Sequence, residues 1–239
     1  MYFKKLCCTL GATLLSSSSL LCTPSVGLPE SQDLSGSNFS EQNLSGSNFE
    51  GADLSESKFL WTRLSGATFK GAIAQDSDFA GANLSGANLS GANMSKSCFA
   101  AVNFLNANLS KADLSESTLA WARLSGANLS GADLNGCDLK GAEFPNANLS
   151  GAILEGSGME FANFKGADLS GADLSGSNLF GANLEGANLK GADISGCDFT
   201  SADLSGANLR GAILDGADFD GANLDGANLE GTDFELANL

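Results

Sequence analysis

The chain has no histidine, one tyrosine and three prolines in 239 residues, and its 12 basic side chains face 28 acidic ones. Without histidine there is no imidazole to act as a general base at neutral pH, to complete a nucleophilic triad or to ligate a metal. Gly-x-Ser-x-Gly and the phosphate-binding glycine loop are missing too, so the common hydrolase and nucleotide-binding signatures are absent. Direct nucleic-acid binding through phosphates is disfavoured, because it needs lysine and arginine gathered on one face. A net charge of −16 suits a solvated acidic coat, cation association or a basic partner.

Cysteine is scarce as well. Cys7, Cys8 and Cys22 fall in or beside the N-terminal 29 residues, leaving Cys98, Cys137 and Cys197. An odd number with no Cys-x-x-Cys pair fits neither a disulfide framework nor a zinc site. Residues 1–29 stand apart from the rest. Lys4 and Lys5 precede an apolar run from Leu6 to Leu15, followed by Ser16–Ser19 and Leu20-Leu21-Cys22. That is the order of a signal peptide, too short for a spanning helix. The expectation is an exported protein, periplasmic or secreted, if this leader is cleaved after Ser25 or Gly27. If it is retained, the chain is membrane-tethered or cytoplasmic. Cleavage would remove Lys4 and Lys5 and take the net charge from −16 to −18.

What the sequence has in abundance is a period. From Leu34 to Leu239 every fifth residue is Leu, Phe, Ile or Met, with Ala74 the one exception among 42 positions. Two residues earlier stands a small residue (Ala52, Ala67, Cys137), and between the two usually Asn or Asp (Asn83, Asp133). Two residues later comes Gly in most units, from Gly36 to Gly231. Period five matches neither a helix nor a strand. It matches a chain that turns a corner every five residues. The small and central residues point inward, the Asn or Asp outward, and the last two residues form the corner. Glycine at the second corner position suits a type II turn, which needs positive φ there, and Pro145-Asn146 is the other pair this turn accepts.

Four corners close a square coil of 20 residues, and stacked coils pair as parallel strands about 4.8 Å apart. The 42 units make about ten coils and a rod roughly 50 Å long. The unit Ala82-Asn83-Leu84-Ser85-Gly86 and its repeats over residues 32–239 closely resemble the pentapeptide-repeat family. The resemblance implies an all-β fold, a right-handed quadrilateral parallel β-helix, with residues 30–239 as its one domain behind the leader at 1–29. Residues 20 apart then stack, so Phe39, Phe59, Phe79 and Phe99 form one inward column. Cys137 and Cys197, three coils apart, should be buried free thiols.

Departures from the repeat are the informative positions. Large apolar residues occupy corners at Leu60, Trp61, Leu105, Trp121, Phe161, Phe180 and Leu236. Counted modulo 20, Leu60, Trp61, Trp121, Phe161 and Phe180 share one corner of the rod. The segment Asp53–Ala72 recurs as Asp113–Ala132, a shift of three coils, and in each copy an outward arginine, Arg63 or Arg123, follows the tryptophan by two residues. Trp beside Arg is favoured at binding hot spots and can form a cation–π pair. The expected partner-binding residues are therefore Leu60, Trp61, Arg63, Trp121, Arg123, Phe161 and Phe180, against the alternative that each Trp only folds over the neighbouring coil.

Three further expectations concern corners, faces and the last coil. Six consecutive units from Lys96 to Trp121 lack the corner glycine, which suggests another turn type and a wider section of rod. Asp33, Asp53, Asp113, Asp133, Asp173, Asp193 and Asp233 share a face, expected to bond neighbouring coils rather than to hold a metal. Phe234, Leu236 and Leu239 make the last coil a candidate homodimer interface, and the resemblance adds that relatives can dimerise through C-terminal coils. The functional reading is a non-catalytic structural and protein-interaction module without cofactor, its protein partner unidentified. The alternative, implied by the resemblance, is an acidic DNA-mimic rod that binds a DNA-handling protein such as gyrase.

Overall fold

The computed structural model describes residues 33–233 and Ala237. Every bridge is parallel and joins residues 20 apart, from Asp33 with Asp53 to Asn208 with Asn228, so no coil gains or loses a residue. The column from Asn48 to Asn228 is ten coils deep. Among the described residues no helix is long and apolar enough to cross a membrane.

The repeat is explained by where its five N–H groups go. The central residue donates one coil onward to the carbonyl of an outward residue, as Leu34 does to Asp53 at 2.7 Å, and the second corner residue donates likewise, as Gly36 does to Ser55 at 2.8 Å. The outward residue donates one coil back, Lys58 to Ser37 at 2.9 Å. The small residue closes the turn on the central carbonyl, Ala52 to Phe49 at 3.1 Å. That leaves the first corner N–H. Asn or Asp two residues earlier takes it through Oδ1, as Asn83 does for Ser85 at 3.1 Å and Asp133 for Asn135 at 3.0 Å. The outward Asn/Asp preference thus satisfies the one donor that neither the ladder nor the turn can satisfy.

This settles the aspartate face. Asp53, Asp113, Asp173 and Asp193 each turn Oδ1 onto the serine two residues on, accepting from both its N–H and its hydroxyl. They serve their own corner rather than the neighbouring coil, because the residues 20 away in this column are mostly Asp or Ile, which offer no side-chain donor. Asp168 and Asp203, which face Asn188 and Asn223, accept from their own corner and from the next coil as well. Ile73, Ile153 and Ile213 stand exposed in the same column. On another face Ser205 N–H beside Asp203, helped by the Ser205 hydroxyl, holds that carboxyl below its ordinary range.

From Gly36 to Gly231 every second corner residue has φ between +53° and +76°, whatever its side chain. The six corners from Lys96 to Trp121 therefore do not adopt a different turn. They make the same one with side chains that disfavour it. Stacking dictates the corner, since its N–H must reach the next coil, and the expected widening does not occur.

Inside, Phe39, Phe59, Phe79 and Phe99 stack with centroids 4.9, 4.5 and 5.1 Å apart. The column Phe49–Phe69 meets them edge-on from the opposite wall, Phe59 to Phe69 at 5.9 Å. Centroid spacing follows the coil rise, so identical rings are forced into register. One inner column is polar. Ser57, Ser77, Ser97, Ser117, Ser157 and Ser177 are buried, and each hydroxyl donates to the central carbonyl of the previous coil, as Ser77 does to Leu54 at 2.9 Å. All six also accept from the backbone N–H of the residue 20 earlier, Ser97 from Ser77 at 3.0 Å. Cys137 and Cys197 occupy the same column, buried and free, with thiols donating to Leu114 and Leu174 carbonyls at 3.0 and 2.9 Å. Burial pushes both thiols up to about 12.

Candidate functional site

The corner that carries residues 60/61, 80/81, 100/101 and so on to 180/181 gathers the aromatic exceptions. Trp61 is 66% exposed, Trp121 62%, Phe161 53% and Phe180 38%, while Leu60 is half-buried. Leu105 belongs to a different corner. Ala80, Ala100, Ala101 and Ala120 fill the same edge between the two tryptophans, giving one apolar strip along the rod.

Trp61, Trp121 and Phe161 all sit at second corner positions, with φ of +54°, +60° and +59°. Bulky side chains are rare in that conformation, which costs an L-residue roughly 1–2 kcal/mol. Each ring leans onto the glycine one coil onward. A β-carbon added at Gly81 would overlap three consecutive atoms of the Trp61 ring, Cδ2, Cε3 and Cζ3, at nearly equal distances. The glycine therefore lies against the ring face. Trp121 covers Gly141 in the same way, and Phe161 reaches Gly181 while meeting Phe180 edge-on at 5.5 Å. One face of each indole is seated on glycine and the other is open. Each Trp does fold over the neighbouring coil, as the alternative expected, while keeping one face open. The glycines that seat the rings, Gly81, Gly141 and Gly181, each stand 20 residues after an aromatic residue and were not singled out in the sequence.

Arg63 and Arg123 are exposed and point outward beside their tryptophans. The four ion pairs of the described residues, Glu50–Lys70, Lys96–Glu116, Lys165–Glu185 and Arg210–Glu230, all join neighbouring coils and leave both arginines out. No cation–π contact joins Arg63 to Trp61 or Arg123 to Trp121 among the described residues. The edge also holds uncapped corners, as the rod does elsewhere at Ser65, Gln75, Ser125, Glu155 and Asp215. Leu60, Ala100, Ala120 and Glu160 follow Lys58, Cys98, Thr118 and Gly158 by two residues, and none of these caps the corner N–H. Asp78 does so for Ala80 at 3.0 Å. Phe234, Leu236 and Leu239, the expected dimer contacts, lie outside the described residues.

The chain matches the pentapeptide-repeats family over residues 33–71, 62–99, 99–131, 117–156, 162–200 and 202–239. It belongs to that family. Among solved pentapeptide-repeat structures it is similar to HetL, a protein involved in heterocyst differentiation regulation in the cyanobacterium Nostoc sp. strain PCC 7120. The two share 34% identity over 84% of this chain and 88% of HetL, with a TM-score of 0.49. A pentapeptide-repeat protein of the Arabidopsis thaliana thylakoid lumen is 32% identical over 49% of this chain and 68% of its own, TM-score 0.34. QnrB1, a plasmid-mediated fluoroquinolone resistance protein, is 24% identical over 84% and 90%, TM-score 0.31. No curated protein matches the chain. Membership brings with it the right-handed sense of the pentapeptide-repeat β-helix.

Proposed function

We propose that this pentapeptide-repeat rod is a non-catalytic interaction module that binds a protein partner along the edge of Leu60, Trp61, Arg63, Trp121, Arg123, Phe161 and Phe180. The observation that carries this reading is the placement of three large aromatic rings at positions whose backbone favours glycine. Packing does not explain them. The buried third of Trp61, roughly 80 Å², is worth about 2 kcal/mol, close to the roughly 1–2 kcal/mol lost by leaving glycine out of a left-handed corner. Stability is indifferent, so a contact made by the open ring faces supplies the reason to have them.

The test restores glycine. A chain with Trp61→Gly, Trp121→Gly and Phe161→Gly keeps every corner and removes the rings. A partner held by the natural chain and released by this variant, at equal melting temperature, supports the edge; a partner held equally by both defeats it. Export behind residues 1–29 belongs to the same proposal, and a mature N-terminus at residue 1 found by mass spectrometry of the native protein would remove it. The DNA-mimic alternative has the net charge of −16 in its favour. Against it, the outward column from Asn48 to Asn228, joined in part by amide-to-amide bonds, is asparagine at every position but Thr68 and Asp168, and so carries a single carboxylate in ten coils.

A further inference from the structure

Resting on that reading of the edge, we infer that Trp61 with Arg63 and Trp121 with Arg123 are two copies of one half-site, and that the partner lays an extended acidic peptide segment across both. Four observations converge. The half-sites are related by a translation of three coils, roughly 14 Å, as the recurrence of Asp53–Ala72 at Asp113–Ala132 requires. A translated pair fits a linear occupant with its own repeat along the rod. In an extended chain rising about 3.4 Å per residue, that distance is about four residues.

The second observation is charge. Over residues 58–63, 78–83, 98–103 and 118–123, which form the edge from one tryptophan to the other, the charged groups are Lys58, Arg63 and Arg123 against Asp78. This is a cationic window on a strongly acidic rod. None of its three cations has an ion pair among the described residues, and Asp78 is occupied with the Ala80 N–H. Glu56, Asp76 and Glu116, with Lys96, stand exposed at the corner next to the window. Salt screens exposed charges over about 8 Å, whereas a guanidinium in contact with the ligand is not screened. Glu41 on one side, and Asp138 and Glu143 on the other, bound the window and fix its length.

Third, the window offers donors. The N–H groups of Leu60, Ala100 and Ala120 donate to no acceptor among the described residues, and together with the two guanidiniums they call for acceptors on the occupant. Fourth, the open indole faces want a flat apolar surface beside each carboxylate, which a proline, aromatic or aliphatic side chain provides. The motif expected is two acidic residues four apart, each flanked by an apolar residue.

Trp61 and Trp121 are the only tryptophans, so indole emission reports on both half-sites. The full chain is titrated with synthetic ten-residue peptides carrying two glutamates four residues apart among leucine and serine. Comparison peptides place the glutamates two or six apart, keep only one, or replace both by lysine. The four-apart peptide should change the emission and bind at least tenfold tighter than the single-glutamate peptide, because the second contact is intramolecular. Arg63→Gln or Arg123→Gln alone should abolish that tenfold gain. Equal binding by the lysine peptide, or indifference to spacing, overturns the proposal. So does a shift produced by polygalacturonate and by none of the peptides, which would make the occupant an anionic glycan. The two readings can fail separately. If no peptide moves the emission yet a captured partner still needs Trp61 and Trp121, the acidic segment is wrong and the edge stands; if the glycine variant keeps the partner, the edge itself is wrong.

Discussion

The two halves of the rod make the same coil from different materials. Ten of the second corner residues in 33–131 are not glycine, against three in 132–233, yet φ is the same in both halves. The first half holds the ring stack from Phe39 to Phe99 and the serines from Ser37 to Ser117; the second is mostly leucine inside and admits Cys137 and Cys197 to the serine column. The comparison shows that glycine eases the corner without defining it. Inter-coil hydrogen bonds impose the turn, and each half offsets the cost of its side chains elsewhere.

The largest difference between the halves should appear in alkali, because only the second carries buried thiols. Cys137 and Cys197 have an ordinary value of 9.0, and burial raises it to about 12 in the folded chain. The folded state therefore keeps protons that the unfolded chain releases. Their contribution is intact below pH 9 and lost as pH rises from 9 towards 12, up to about 4 kcal/mol for each thiol. Urea unfolding at pH 8 and pH 11 should show the second half failing first, and Cys137→Ser with Cys197→Ser should abolish the difference. Serine already makes the same bond at Ser157 and Ser177, so the double variant should be near neutral at pH 8.

A smaller effect comes from loading a plain corner. Gly196→Ile puts a β-branched side chain at φ +63° and should cost about 2 kcal/mol in urea melts, with Gly176→Ala about 1 kcal/mol. Moving the first half towards the second should do the reverse. Lys96→Gly and Ala101→Gly should each stabilise by roughly 1 kcal/mol, while Asn106→Gly gains less because asparagine tolerates this conformation. If Lys96→Gly and Ala101→Gly both destabilise, the strain assigned to the first half is not there.

The coil and its core were legible because a period of five admits one regular solution, and the edge was legible because position modulo 20 is position on the rod. What escaped the sequence was anything that depended on hydrogen-bond accounting. Lys96 through Trp121 suggested a new turn, but the second corner N–H leaves the chain no freedom to adopt one. The aspartate column suggested bonds between coils, but its neighbours 20 residues away are mostly Asp or Ile without a side-chain donor, so those carboxylates serve their own first corner residue alone. The polar inner column had a signal in Ser57, Ser77, Ser97 and Ser117 that reads as mere smallness until the carbonyls they serve are in view. The seat of each tryptophan was legible only in pairs, Trp61 with Gly81 and Trp121 with Gly141.

The central claim is that the tryptophans are held for contact rather than for the fold, and the stability of the chain with Trp61→Gly and Trp121→Gly tests it most directly. Lost ring packing and regained glycine freedom oppose each other, so urea melts should place the double variant within about 1 kcal/mol of the natural chain. A loss above about 3 kcal/mol would contradict the account, because the rings would then be parts of the structure that happen to face water.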